Sequence, residues 1–188
     1  MYTGNIILLG SPGSGKGTLS DLLREKYGYH TITTGDILRK EKISGSEIGN
    51  KIKDIIGKGN LVPDELISQI VEGEIKVISK RFILDGFPRT IPQGEFLESI
   101  TKIGLVIYIE ASDDVIKSRI LERGKLSGRE DDQKAEIIDH RISQFKKETL
   151  PLIDFYKKKG RIVYVDGDLS ISQVFNQVNN ILKIWHEL

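Results

Sequence analysis

A doubly wound α/β fold, built on a five-stranded parallel sheet with helices on both faces, is predicted by three features of the chain. Apolar, β-branched runs recur at residues 6–9, 30–33, 82–84, 105–109 and 162–165. Each run is followed by a stretch of helical periodicity, the pattern that parallel strands joined by helical crossovers produce. The first run leads directly into Gly10-Ser11-Pro12-Gly13-Ser14-Gly15-Lys16-Gly17-Thr18, a glycine-rich link between a buried strand and a helix N-terminus.

That link is a phosphate cradle. Glycines let the backbone curl until successive N–H groups of Gly13, Ser14, Gly15, Lys16, Gly17 and Thr18 converge on one anion. The helix dipole adds positive potential there, and Lys16 supplies a mobile cation for the β- and γ-phosphates. The commonest form of the motif places Ser or Thr immediately after the lysine as a magnesium ligand, whereas Gly17 holds that place here. Magnesium is therefore expected on nucleotide phosphates and on waters oriented by a nearby carboxylate, in keeping with its reluctance to dehydrate.

The helical patterns fall at residues 18–27, 36–42, 47–58, 63–78, 93–99, 113–123, 133–159 and 170–185, with Pro63 suited to a first turn and Pro151 expected to kink the seventh. Two stretches interrupt the alternation: residues 33–62, which pack short helices between the second strand and the Pro63 helix, and residues 124–132, read as a polar loop between two helices. Ligands of such sheets bind beyond the carboxyl ends of the strands. Four of the five ends carry candidate chemistry: the phosphate loop, then Thr34-Gly35-Asp36, then Asp85-Gly86-Phe87-Pro88-Arg89, and finally Asp166-Gly167-Asp168.

Composition sets the bounds. A chain of 188 residues, 38% hydrophobic, fits one compact domain. The absence of cysteine excludes disulfides and cysteine-based zinc ribbons, and the apolar runs are far too short to span a membrane. The sequence enters its first strand almost at once, leaving no room for a targeting peptide, so a cytoplasmic setting is expected. With 28 basic and 27 acidic residues the net charge of +1 gives no case for nucleic-acid binding, and any basic site must be local.

Local basic sites are present. Arg39, Arg89, Arg119, Arg123, Arg129 and Arg141 recur in segments able to face the cradle, and Arg119 and Arg123 are one helical turn apart. Phosphoryl transfer needs in-line positioning, charge neutralisation and exclusion of water, and planar guanidiniums meet the second need. Asp85, at the end of the third strand, can reach a metal-bound water. Asp131 and Asp132 have two readings, as N-caps for the helix at Gln133 or as orienting groups for the loop arginines. His30, His140 and His186 show no ligand spacing and are read as structural.

Together these motifs resemble the adenylate kinase branch of the nucleoside monophosphate kinases over nearly the whole chain. The resemblance rests on the phosphate loop, on Thr33-Thr34-Gly35-Asp36-Ile37-Leu38-Arg39, on Asp85-Gly86-Phe87-Pro88-Arg89-Thr90 with Gln93, and on Ser127-Gly128-Arg129-Glu130-Asp131-Asp132. It implies a core of residues 1–32, 63–123 and 133–188, a monophosphate-binding insertion of 33–62 and a short lid of 124–132, without the zinc-bearing lobe of long-lid relatives. It implies a monomer that transfers a phosphoryl group reversibly from MgATP to AMP, giving two ADP. Lys16 and the loop backbone would hold ATP phosphates, with Arg119 and Arg123 at the ATP end and Leu169 beside the ATP base. Arg129 and Arg141 would contact the transferring phosphoryl and the acceptor. Arg39 and Arg89 would grip the AMP phosphate beside Gly86, Phe87 and Pro88, Thr34 and Gln93 would read adenine, and Asn60, Leu61 and Val62 would line the base pocket.

Two alternatives stand beside this expectation. Uridylate-cytidylate kinases share the loop and most arginines, but Thr34, Thr90 and Gln93 favour AMP, since an amide donates and accepts together, as the adenine edge requires. A nucleotide-responsive binding protein without turnover would use the same fold. A guanine switch is disfavoured by the lack of an Asn-Lys-x-Asp string.

Overall fold

The computed structural model describes residues 4–44, 46–78, 81–128 and 130–187; Arg129 and the side chain of His186 lie outside them. Strands β1 (Asn5–Leu9), β2 (His30–Thr33), β3 (Phe82–Asp85), β4 (Ile103–Glu110) and β5 (Ile162–Asp166) form one sheet in the order β2-β3-β1-β4-β5. All four pairings are parallel, with Leu8 opposite Asp85 on one side and Ile107 on the other. Chains leaving β1 and β3 run to opposite sides of the sheet, which opens a crevice at their carboxyl ends.

Burial on both faces explains the near-continuous apolar runs. Ile7 and Leu9 of β1 face one core layer with Leu84, Val106, Leu97, Leu152 and Tyr156, under α4 (Asp64–Val77), α5 (Ile91–Ile100) and α8 (Pro151–Lys158). Ile6 and Leu8 face the other, with Leu19 and Leu23 of α1 (Lys16–Tyr27) and Val174, Val178 and Leu182 of α9 (Ile171–Glu187). Between β2 and α4 lie α2 (Thr34–Ser44) and α3 (Glu47–Gly57), which bury little beyond Thr34 and Ile52.

A third apolar cluster, Ile116, Ile120, Ile138 and Ile142, zips α6 (Asp113–Ser127) to α7 (Ala135–Gln144). Here the structure corrects the expected loop at 124–132. Residues 124–127 continue α6, which ends where Gly128 turns left-handed at φ 66° and donates its N–H to the Gly124 carbonyl, and Glu130–Asp132 forms a 3-10 turn. That turn approaches α6 closely at Gly124, where a Cβ would stand 2.8 Å from the Asp132 carbonyl oxygen. The long helix expected over 133–159 is divided as well: α7 widens into a π-helical turn at Phe145–Thr149, and α8 starts at Pro151. Proline lacks an N–H and its ring crowds the preceding turn, so a wider turn ahead of it relieves both problems. Among the described residues no helix is long and apolar enough to cross a membrane.

Candidate active site

The crevice at the ends of β1 and β3 deepens into a cleft of about 730 Å³. Its floor is the phosphate loop. Ser14 donates its N–H to the Ser11 carbonyl at 3.1 Å, and Gly15, left-handed at φ 99°, caps α1 so that the helix N-terminus opens into the cleft. The hydroxyls of Ser11 and Ser14 are buried with no hydrogen-bond partner among the described residues. Orphan donors beside a helix N-terminus are an anion site, because unsatisfied buried polar groups are costly until a ligand accepts from them. Lys16 donates to the carbonyls of Gly10 and Ser11, both at 2.8 Å. Burial lowers its pKa to about 8 against the opposing pull of Asp85, with Arg89, Arg123 and Arg141 adding repulsion.

Cations from three further elements meet over this floor. Arg89, at the end of β3, donates from Nε to the Gly86 carbonyl at 2.7 Å, and its own carbonyl accepts from the Thr149 hydroxyl at 2.8 Å. Burial, with Arg141 and Arg39 nearby, lowers its pKa to about 10. Arg123 of α6 and Arg141 of α7 converge on one carboxylate: Asp132, 0% exposed, accepts from Arg123 Nε at 2.7 Å and from a terminal nitrogen at 2.9 Å, and from Arg141 at 2.7 Å. Burial alone would raise the Asp132 pKa, but its bonds to Arg123 and its attraction to both guanidiniums hold it below the usual carboxylate range. Asp131 adds a 2.9 Å bond to Arg141. The arginine-orienting reading of these two aspartates is thus the one that the geometry supports, and Lys134 occupies the N-cap of α7 instead.

Arg119 lies on the same face of α6 as Arg123 but reaches elsewhere, donating to the carbonyls of Gly167 (2.6 Å) and Leu169 (3.1 Å) and so tying the segment after β5 to the cleft wall. Asp168 reinforces that tie by accepting from the N–H and hydroxyl of Ser112. Arg39 pairs with Asp36 one turn earlier on α2. Asp85, at the strand end between Lys16 and Arg89, has its pKa raised by burial against the pull of both cations. Its Oδ2 lies 3.7 Å from where a Gly17 Cβ would be, so the carboxylate faces the loop.

A second pocket opens from the first beneath α2 and α3, lined by Thr34, Asn60, Leu61, Val62 and Gln93. Thr34, 1% exposed, donates its hydroxyl to the Asp85 carbonyl, and Gln93 is 2% exposed. Arg39, Arg89, Arg141 and Gly86 line both pockets and mark their junction. Pro88 lines the first, while Phe87 is 0% exposed and packed in the core, which leaves only its backbone to serve the cleft. Sequence reasoning passed over Asp64 and Thr149, which hold Gln93 and Arg89 in place; Asp64 stands in the first turn of a helix, where an acidic residue has an ordinary explanation. His140, read as structural, has its Nε2 2.8 Å from Asn60 Oδ1.

Comparison with known proteins places this arrangement. A family model described as "Adenylate kinase" matches residues 8–161. A protein of Parabacteroides distasonis named "Adenylate kinase" is 40% identical over 186 residues, covering 95% of this chain and 97% of its own. The human "Adenylate kinase isoenzyme 1" is 42% identical over 177 residues, with coverage of 92% and 91%. An "Adenylate kinase" of Methanosarcina barkeri is 38% identical over an alignment of 212 residues, covering 95% and 98%. From the phosphate loop through α8 to the two joined pockets, the chain belongs to the adenylate kinase family, a family of phosphotransferases.

Proposed function

We propose that the cleft transfers a phosphoryl group reversibly from ATP to AMP, giving two ADP, and that the observation carrying this reading is the junction of two pockets at Arg89 and Arg141. One pocket has the phosphate loop at its base and the other the amide of Gln93, so a donor polyphosphate and an acceptor monophosphate would meet end to end between the arginines. An oxygen of the AMP phosphate attacks the γ-phosphorus as the bond to the β-bridging oxygen breaks, so the step needs no protein nucleophile. The chain supplies position and charge. Lys16 and the N–H groups of residues 13–18 hold the donor phosphates, and Arg119 and Arg123 flank the ATP end near Leu169. Arg39 and Arg89 hold the acceptor phosphate, and Arg141 and Arg129 would contact the transferring phosphoryl and the acceptor. Thr34 and Gln93 read adenine between Asn60, Leu61 and Val62.

Magnesium fits this site only indirectly. Among the described residues no group of three or more His, Asp or Glu is placed to hold a metal, and Gly17 offers no hydroxyl, but Asp85 faces the loop and would orient water. Bound to the donor phosphates, Mg²⁺ would neutralise charge on the reacting oxygens. Residues 33–62 and 124–132 act as the two closing segments over a core of 1–32, 63–123 and 133–188, and their closure would exclude water and so suppress hydrolysis. The chain would work on free nucleotides as a cytoplasmic monomer.

A coupled steady-state assay with MgATP and AMP, CMP, UMP or GMP in parallel tests the reading. AMP should be preferred, and Arg89→Ala should lower kcat by 10²-fold or more, the order of effect seen on removing one charge-stabilising donor. A preference for UMP or CMP would overturn Thr34 and Gln93 as adenine readers, and no turnover with any acceptor would leave a binding protein.

A further inference from the structure

The amide of Gln93 is held on two sides. Its Oε1 accepts the Arg89 N–H at 2.7 Å, and its Nε2 donates to Asp64 Oδ1 at 2.6 Å. The other carboxylate oxygen, Oδ2, accepts from the Thr90 hydroxyl at 2.9 Å, and Thr90 Oγ1 in turn accepts the Gln93 N–H. Asp64 opens α4, Thr90 caps α5, and Asp64 itself is off the pocket wall, behind Gln93.

The two ends of an amide are nearly the same shape, so only their partners decide which is oxygen. A backbone N–H can only donate and a carboxylate can only accept, so both contacts favour one orientation. Turned over, the amide would set N–H against N–H at Arg89 and oxygen against oxygen at Asp64. One donor and one lone pair of the amide remain for the pocket. A 6-aminopurine presents an acceptor at N1 and a donor at its amino group, and a 6-oxopurine presents the reverse.

We propose that Asp64 is a positioning residue that sets acceptor specificity: by holding Nε2 of Gln93 it fixes the direction in which the amide meets the base, and so selects 6-aminopurine over 6-oxopurine monophosphates. The proposal rests on the reading that Gln93 meets the acceptor base. Without Asp64 the amide keeps only its contact to Arg89, and turning it over to suit a 6-oxopurine becomes much easier.

The test measures kcat/KM with AMP and with IMP, alongside the KM for ATP and the thermal midpoint, for Asp64→Ala, Asp64→Asn and Gln93→Ala. Asp64→Ala should narrow the AMP-to-IMP ratio about tenfold or more, mainly through a higher KM for AMP and a lower one for IMP, with the KM for ATP unchanged. Asp64→Asn should hold the ratio within about twofold of the parent, since its carbonyl still accepts from Nε2 while its NH₂ donates to Thr90 Oγ1. Should Asp64→Ala not fold, Asp64→Leu, of similar shape and without acceptors, takes its place. An unchanged ratio in the folded Ala or Leu variant overturns the proposal, as does an Asn variant that loses as much as Ala. Gln93→Ala separates the two ideas: if it changes neither the KM for AMP nor the ratio, the reading of Gln93 has failed first, whereas a loss there with none at Asp64 sinks the positioning role alone.

Discussion

Lys16 shows how the cleft stores the chemistry of its ligand in its own residues. Its ammonium, bonded to two loop carbonyls, titrates near pH 8 because burial disfavours the charge more than Asp85 restores it. Phosphates arriving at the loop favour the charged form, so above about pH 8 ATP binding must take up a proton. The affinity for ATP should therefore be level from pH 6.5 to 7.5 and then fall as pH rises, by up to about tenfold per pH unit. Calorimetry in two buffers of different ionisation enthalpy would show the uptake at pH 9; equal affinities at pH 7 and 9 would refute it. The effect on folding has the opposite sign. An unfolded lysine keeps its proton to about pH 10.4, so between pH 8 and 10 the unfolded chain binds more protons, and the Lys16 contribution to stability improves as pH rises through that window. At this scale the sequence pointed to cations that line the cleft, Lys16, Arg39, Arg89, Arg119, Arg123 and Arg141, but not to where their side chains end. The helical spacing of Arg119 and Arg123 put both on one face, yet one reaches carbonyls 48 and 50 residues away and the other a buried aspartate nine residues on. Partners so distant are chosen by tertiary packing, which local pattern does not encode.

Elements were legible where a period runs long and unbroken. The apolar runs of all five strands fall in the observed sheet; those of the central strands β1, β3 and β4 are buried on both faces, whereas the edge strands β2 and β5 stay partly exposed. One misreading came where turn geometry outweighs composition: residues 124–127, read as loop, extend α6 to the point where Gly128 turns left-handed. Glycines make the same point energetically. In the phosphate loop Gly13 is left-handed at φ 84°, and a Cβ would stand 2.7 Å from Ile120 Cγ1 and 2.8 Å from the Ile116 carbonyl. In α4, Gly73 has nothing within 4 Å of where its Cβ would be. Gly13→Ala should destabilise the fold by more than about 1 kcal/mol and raise the KM for ATP, whereas Gly73→Ala should stabilise it by about 0.5–1 kcal/mol with kinetics unchanged. Thermal melts and ATP titrations of both variants check the pair, and equal shifts of one sign would contradict it.

Across the whole molecule, anchoring is uneven. The central strands of the sheet are buried on both sides, while α2 and α3 bury little beyond Thr34 and Ile52, and the segment after α3 is held to α7 by the exposed His140–Asn60 bond. Amide hydrogen exchange should accordingly be orders of magnitude faster in Thr34–Gly57 than in β1 and β4, and AMP should slow it there more than ATP does. Exchange as slow as that of β1 in the free protein would show these helices to be part of the rigid core. The central position of β1 between β3 and β4 also bears on how the chain is made. The first strand leaves the ribosome with neither neighbour, and its second edge is not closed until synthesis has passed Glu110. Until then the apolar run Ile6, Ile7, Leu8, Leu9 carries open backbone edges, a state prone to aggregation, and the loop at its end has no fixed footing. The cleft is thus completed only after later strands and helices have been made, although its loop motif precedes them in the chain.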